Sequence, residues 1–134
     1  MTIDAVTVVR RLWESFRAHD WALASEQLAP AAVVMWPQSG EAFVGRDNVI
    51  AMNRAHPAPN WRIEQIEILV ASGGRVAARV VVPTDDSVDV CLGFYTVEAG
   101  VIAMAVEYWT EHRSMPTPAW REQWTTPIAS LEHP

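Results

Sequence analysis

RVAARVVVPTDDSVDVCLGFYTVEAGVIAMAVEYWTEH, residues 75–112, reads as three β-strands joined by two tight turns. Arg75 to Thr84 alternates cleanly: Val76, Ala78, Val80 and Val82 share one face, and Arg75, Ala77 and Arg79 share the other, as the two-residue period of a strand requires. Asp85-Asp86-Ser87 turns the chain. Val88 to Val97 alternates again, with Val88, Val90, Leu92 and Phe94 together, so hydrophobicity predicts this row inward and Tyr95 outward. Glu98-Ala99-Gly100 makes the second turn, and Val101 to His112 forms a last long strand. Hairpin-linked strands of this kind build an antiparallel sheet.

Upstream, the pattern extends this sheet and adds helices. Trp61 to Ala71 leads into Ser72-Gly73-Gly74, a turn that tolerates positive φ, and so supplies a further strand. Asp4 to His19 has the helical period, with Val6, Val9, Trp13 and Phe16 on a stripe that Leu12 widens. Asp20 is placed to cap a second helix, Trp21 to Leu28, which Pro30 is expected to end. Val33-Val34-Met35-Trp36, within Ala31 to Pro37, is a short β-run, and Gln38 to Gly45 is a loop or short hairpin containing Phe43. A third helix is expected from Gly45 to about His56, stopped by Pro57 and Pro59. Residues 1–112 thus form one domain. The tail, 113–134, is broken by Pro116, Pro118 and Pro127 and carries Trp120 and Trp124 one helical turn apart, so it is expected to dock on the body by those rings and to end in disorder.

Composition excludes several functions. The chain has 134 residues, half of them apolar, and a formal net charge of −6. Nucleic-acid binding calls for a clustered basic surface, which this balance argues against. All ten basic residues are arginine, so Schiff-base catalysis and a lysine-dependent phosphate loop are excluded. The longest uncharged run, Gln27 to Gly40, falls short of the about 20 apolar residues that span a bilayer. Asp4, Arg10 and Arg11 do not make a signal peptide. A single cysteine, Cys91, cannot form an internal disulfide and points to the cytoplasm. The histidines His19, His56, His112 and His133 show no metal-ligand spacing, no serine-nucleophile elbow occurs, and no metal or cofactor is implied. Seven tryptophans in so short a chain suggest either a tryptophan-rich core or the lining of a cavity for a flat or greasy ligand.

The order helix, short helix, strand, helix, long antiparallel meander resembles the nuclear transport factor 2-like superfamily and its SnoaL-like members. Three stretches carry the resemblance. Phe43-Val44-Gly45-Arg46-Asp47-Asn48-Val49-Ile50 is similar to the family's glycine turn into the third helix, Glu98-Ala99-Gly100-Val101-Ile102 to its last hairpin, and Glu107-Tyr108-Trp109-Thr110-Glu111 to its closing strand. The resemblance spans roughly residues 3–112. It implies an α+β fold, a cone-shaped barrel with three N-terminal helices packed on a strongly curved antiparallel or mixed sheet, whose wide end encloses a pocket. The family includes steroid isomerases, polyketide cyclases, dehydratases, epoxide hydrolases and non-catalytic binding proteins, so it implies no single reaction. The steroid isomerase's three catalytic positions fall on Trp36, Leu12 and about Leu92, which cannot supply a base or an oxyanion hole. The two carboxylates and arginine of an epoxide hydrolase find no counterpart either.

Threaded on the family, the last strand turns Ala103, Ala105, Glu107 and Trp109 toward the cavity, whereas hydrophobicity selects Ile102, Met104, Val106 and Tyr108. Both faces are satisfied if one meets helices and ligand and the other a second subunit, which predicts a homodimer through the outer face of the sheet. An inward Glu107 would lie in low dielectric with a raised pKa, suited to acid/base chemistry; the alternative is a Glu107 paired with arginine or wet at the rim. His56 is a second acid/base candidate, or simply a helix-end residue. Leu12, Phe16, Trp36, Gln38, Met52, Asn53, Val80, Leu92 and Trp109 are the expected ligand contacts. The expected partner is a small apolar or aromatic molecule, with neither nucleic acid nor membrane. The function read from this pattern is a SnoaL-like pocket domain, an acid/base enzyme of isomerase, cyclase or hydrolase type. The alternatives are a non-catalytic ligand-binding protein, or a structural dimer module whose cavity its own tryptophans fill.

Overall fold

The structure, a computed structural model, describes residues 4–57, 60–111 (Glu111 by its backbone alone) and 116–131. Two helices open the chain, α1 (Ala5–Arg17) and α2 (Trp21–Glu26). Each begins where an aspartate can cap it: Asp4 accepts from the Val6 N–H and Asp20 from the Leu23 N–H. The hairpin β1 (Leu28–Trp36) and β2 (Glu41–Val44) follows, then α3 (Arg46–Arg54), and then β3 (Gln65–Ser72), β4 (Arg75–Pro83), β5 (Val88–Glu98) and β6 (Val101–Glu111). The six strands form one curved, open sheet in the order β2-β1-β6-β5-β4-β3. Only β1 and β6 run parallel. The sheet is mixed, as expected, but it does not close into a barrel.

The helices lie on the concave face. Val8, Val9, Leu12, Trp13 and Phe16 of α1 and Val49 of α3 are buried against Leu28, Ala32 and Val34 of β1 and Val76, Ala78, Val80 and Val82 of β4. Burying such side chains contributes about 1.5–3 kcal/mol each, which fixes the helices over the sheet.

Four expectations need correction. The second helix stops at Glu26, and Pro30 lies inside β1, where the register with β6 breaks between Leu28 and Val33; a proline is tolerated where a ladder is interrupted. The strand expected from Trp61 begins only at Gln65. On β5, Cys91 and Tyr95 face the core and Phe94 is exposed, so the more apolar row is the outer one. On β6, Ala103 is a β-bulge: Thr96 pairs with Met104 but Val97 with Ile102. The extra residue switches the phase, so Ile102, Ala105 and Glu107 are all buried. The conflict between family threading and hydrophobicity on this strand is resolved by that one residue.

The tail also differs. Its described part forms two short 3-10 turns, Ala119–Trp124 and Ile128–Ser130, and the Trp120 and Trp124 rings are 71% and 73% exposed, so those rings do not bind it to the body. Pro59, His112, His133 and the expected disorder at the end of the chain, 132–134, lie outside the described residues.

Candidate functional site

Glu107 occupies the centre of the concave face. Its β5 register partner is Gly93, where a glycine in mid-strand leaves room for another group to approach. The Tyr95 ring fills that room: a Cβ on Gly93 would stand 2.3 Å from the Tyr95 hydroxyl. Folded back this way, Tyr95 donates to Glu107 Oε2 at 2.8 Å and accepts from Trp13 Nε1 at 3.0 Å. Trp36 Nε1 donates to Glu107 Oε1 at 3.1 Å. The floor of the cone is therefore a chain of neutral donors ending on one carboxyl group.

Glu107 is 6% exposed, and neither described ion pair involves it. Both bland readings, an arginine partner and a wet rim position, are thereby set aside. Burial raises the Glu107 pKa, because a charge without water or a cation is costly, while donors from Trp36, Tyr95, Trp109 and Cys91 pull the other way. The Trp109 Nε1–H acts on the carboxyl through proximity, but it forms no hydrogen bond of normal geometry. Tyr95 and Cys91 are both pushed well up, by burial first and by the Glu107 charge second. Neither ionises before Glu107. Of these three groups, the carboxyl is the one that gives up its proton most readily.

One hollow adjoins this group and a second lies beside the first. The inner one, about 20 Å³, is lined by Leu12, Phe16, Trp36, Met52, Glu107 and Trp109 among others. An outer chamber of about 180 Å³ opens beyond it, and Trp13, Trp36, Met52, Asn53 and Trp109 border both. His56 lies in the outer chamber against Trp61, ring centroids 5.6 Å apart. Rings pack edge-on around the neck, Trp36 and Trp109 at 6.2 Å and Trp13 and Trp109 at 6.3 Å.

Of the residues singled out in the sequence, Leu12, Phe16, Trp36, Met52, Asn53 and Trp109 line one or both hollows, Glu107 lines the inner one and His56 the outer one. Three expected contacts do not. Val80 is sealed in the core, Leu92 lies on the outer row of β5, and Gln38 is exposed. The Gln38 side chain instead pairs with the backbone N–H and C=O of Trp109, acting as a one-residue extension of the sheet that sets the Trp109 position. Sequence reasoning missed Trp13, Tyr95, Trp61 and Asp89, the last in the outer chamber with its Oδ1 accepting from Ser87 Oγ at 3.0 Å. A signal existed for two of them: Asp89, Cys91, Gly93 and Tyr95 share one phase of β5, and a polar and small row around a mid-strand glycine marks a site face.

The SnoaL-like domain model matches residues 9–105, well over half of the chain. The chain belongs to the SnoaL-like family, within the nuclear transport factor 2-like superfamily. Solved structures agree on the fold of this SnoaL-like protein. A candidate ketosteroid isomerase from Kribbella flavida superposes with a TM-score of 0.80 at 22% identity, covering 92% of this chain and 89% of that one. An NTF2-like protein of unknown function from Burkholderia xenovorans gives 0.70 at 20% identity, covering 92% and 94%. IdmH, a candidate polyketide cyclase from Streptomyces antibioticus, gives 0.66 at 19% identity, covering 80% and 92%. No curated protein matches the sequence significantly. Among the described residues, no helix of the SnoaL-like chain is long and apolar enough to cross a membrane.

Proposed function

We propose that this SnoaL-like domain binds a small apolar or aromatic molecule in the outer chamber and that Glu107 moves a proton to or from it. One observation carries the reading: a buried carboxyl with no cation partner among the described residues, held by neutral donors at the inner end of an aromatic-walled hollow. Taking a carboxylate out of water costs several kcal/mol, and a fold bears that cost most readily where the group works. Tyr95 and Trp36 satisfy the ionised form, so the same carboxyl can accept a proton and return it. This cycle suits isomerase- or cyclase-type chemistry, the types in the names of two structural neighbours. His56 serves as the second acid/base group at the chamber's outer end.

We further propose that a second copy of the chain covers the outer face of the sheet, where Val88, Phe94 and Tyr108 are 42%, 49% and 42% exposed and the last two rings meet edge-on at 6.1 Å. The lone buried thiol of Cys91 suits the reducing cytoplasm.

Native mass spectrometry of freshly purified protein reads both proposals at once, as dimer mass and as any co-purified ligand. Indole and naphthalene serve as aromatic probes, followed through the tryptophan side-chain resonances; uptake of neither would end the binding claim. With a substrate in hand, Glu107→Gln should lose turnover while keeping ligand affinity. Unchanged turnover removes Glu107 from the chemistry and leaves a sequestering protein.

A further inference from the structure

We propose that the outer chamber takes an organic cation: the molecule bound carries a positively charged nitrogen, an amine or quaternary ammonium on an apolar or aromatic body, seated between tryptophan rings and the Asp89 carboxylate. The inference rests on the binding reading above and specifies its ligand.

The first observation is the wall. Trp13, Trp36, Trp61 and Trp109 all line the chamber of about 180 Å³, so four of the seven tryptophans of the chain converge on one hollow. Trp36 and Trp109 are inclined at 64° and Trp13 and Trp109 at 60°, so neither pair stacks face to face. Aliphatic or phenyl groups would suffice for a merely greasy ligand. Tryptophan adds something they lack, because its face attracts a cation more strongly than any other side-chain ring.

The second observation is the sign of the charge. Asp89 is the acid in that wall, half-buried, and it shares its row of β5 with the inward-facing Cys91 and Tyr95. Its Oδ1 accepts from Ser87 Oγ at 3.0 Å, a neutral partner, and neither ion pair of the described residues includes it. No arginine among the described residues lines the chamber, whose basic member is His56. The turn between Val82 and Asp89 adds the exposed Asp85 and Asp86, and the whole chain carries −6. The field at this end of the molecule therefore draws cations.

The two observations together decide between ligand classes. A neutral apolar molecule filling the chamber takes water from the Asp89 carboxylate and returns nothing, which is costly. A neutral hydroxyl answers the carboxylate but gains little from tryptophan faces. An anion is repelled by Asp89. A cationic nitrogen satisfies both the carboxylate and the rings.

Phenyltrimethylammonium and tert-butylbenzene provide the test, because they have nearly the same shape and differ by N⁺ against C. Binding is followed by tryptophan fluorescence at low ionic strength and about pH 8, above the range in which histidine ordinarily charges. The cation should bind at least about fivefold more tightly, and its N-methyl proton signal should move upfield on binding, as protons over aromatic faces do. Asp89→Asn, which keeps the size and the bond from Ser87, should weaken the cation about fivefold and leave tert-butylbenzene within about twofold. Should that variant fold poorly, salt answers the same question on the unaltered protein: added salt should weaken the cation and not the hydrocarbon. Equal binding of the two probes, or tighter binding of tert-butylbenzene, overturns the cation site and leaves the pocket reading standing. A preference undiminished in Asp89→Asn, a cation indifferent to salt, or an N-methyl signal that does not move upfield overturns it as well. Binding of neither probe overturns both readings.

Discussion

Replacing Gly93 by alanine should damage this protein far more than one added methyl group normally does. The new Cβ would lie 2.3 Å from the Tyr95 hydroxyl and 2.5 and 2.6 Å from its Cε2 and Cζ. Carbon contacts settle at about 3.5–4.0 Å, so the ring must retreat by roughly 1 Å. It has nowhere to go: Tyr95 is 1% exposed and is tied to Trp13 on one side and Glu107 on the other. Overpacking of this kind costs about 1–3 kcal/mol. The Tyr95 bond to the carboxyl, worth about 1.5–3 kcal/mol, is strained or broken as well. We expect a loss of about 3–5 kcal/mol in urea unfolding, measurable against the about 5–15 kcal/mol of a small domain. Shrinking the ring should offset the damage, so Gly93→Ala combined with Tyr95→Ala should fall short of additivity by at least about 1 kcal/mol. A Gly93→Ala loss below about 1 kcal/mol, or strict additivity, would refute the placement of Tyr95 over Gly93.

The other predictions concern the same network and its surroundings. The folded Glu107 pKa is raised, so as pH increases the unfolded chain releases this proton first, near about 4.3, and the native state is progressively destabilised until pH passes the folded value. Glu107→Gln should therefore gain stability relative to the unaltered protein as pH climbs through that window, and a relative loss over the same range would contradict the sign. Gln38→Ala removes both side-chain bonds to the Trp109 backbone and should cost about 1–2 kcal/mol by thermal unfolding, with a broadened Trp109 indole resonance. Trp120→Ser and Trp124→Ser should change stability by no more than about 0.5 kcal/mol, because both rings are exposed; a loss above about 2 kcal/mol would mean that they pack on something.

Much of the architecture is legible in the amino-acid pattern, and the failures are physical. Helix α1 announces itself because Val9, Leu12, Trp13 and Phe16 recur at the helical period and are all buried. The β4–β6 meander is equally plain, since alternation and turn residues agree. Pro30 misleads because a proline that ends a helix and one that sits in an interrupted ladder look the same locally; only the pairing of β1 with β6, more than seventy residues away, decides. The inward face of β5 was hidden because the site itself violates hydrophobic patterning: it needs a hydroxyl, a thiol and a missing side chain, and so the more apolar row faces out. The phase change at Ala103 is invisible to any reading of one strand, because a bulge is defined by its partner. Within the site, Glu107 and its tryptophans came from family threading, but their hydrogen bonds did not. Those depend on Tyr95 folding back over Gly93, a contact that no spacing along the chain encodes.

The central claim is that Glu107 is a buried carboxyl that holds its proton more tightly than an ordinary glutamate. A pH titration of the side-chain carboxyl ¹³C resonance, assigned by its loss in Glu107→Gln, measures this directly. The account predicts a midpoint clearly above the usual value of about 4.3, with the Trp36 indole N–H shifting at the same pH. A midpoint at or below that value, or a Trp36 resonance indifferent to the titration, would contradict it.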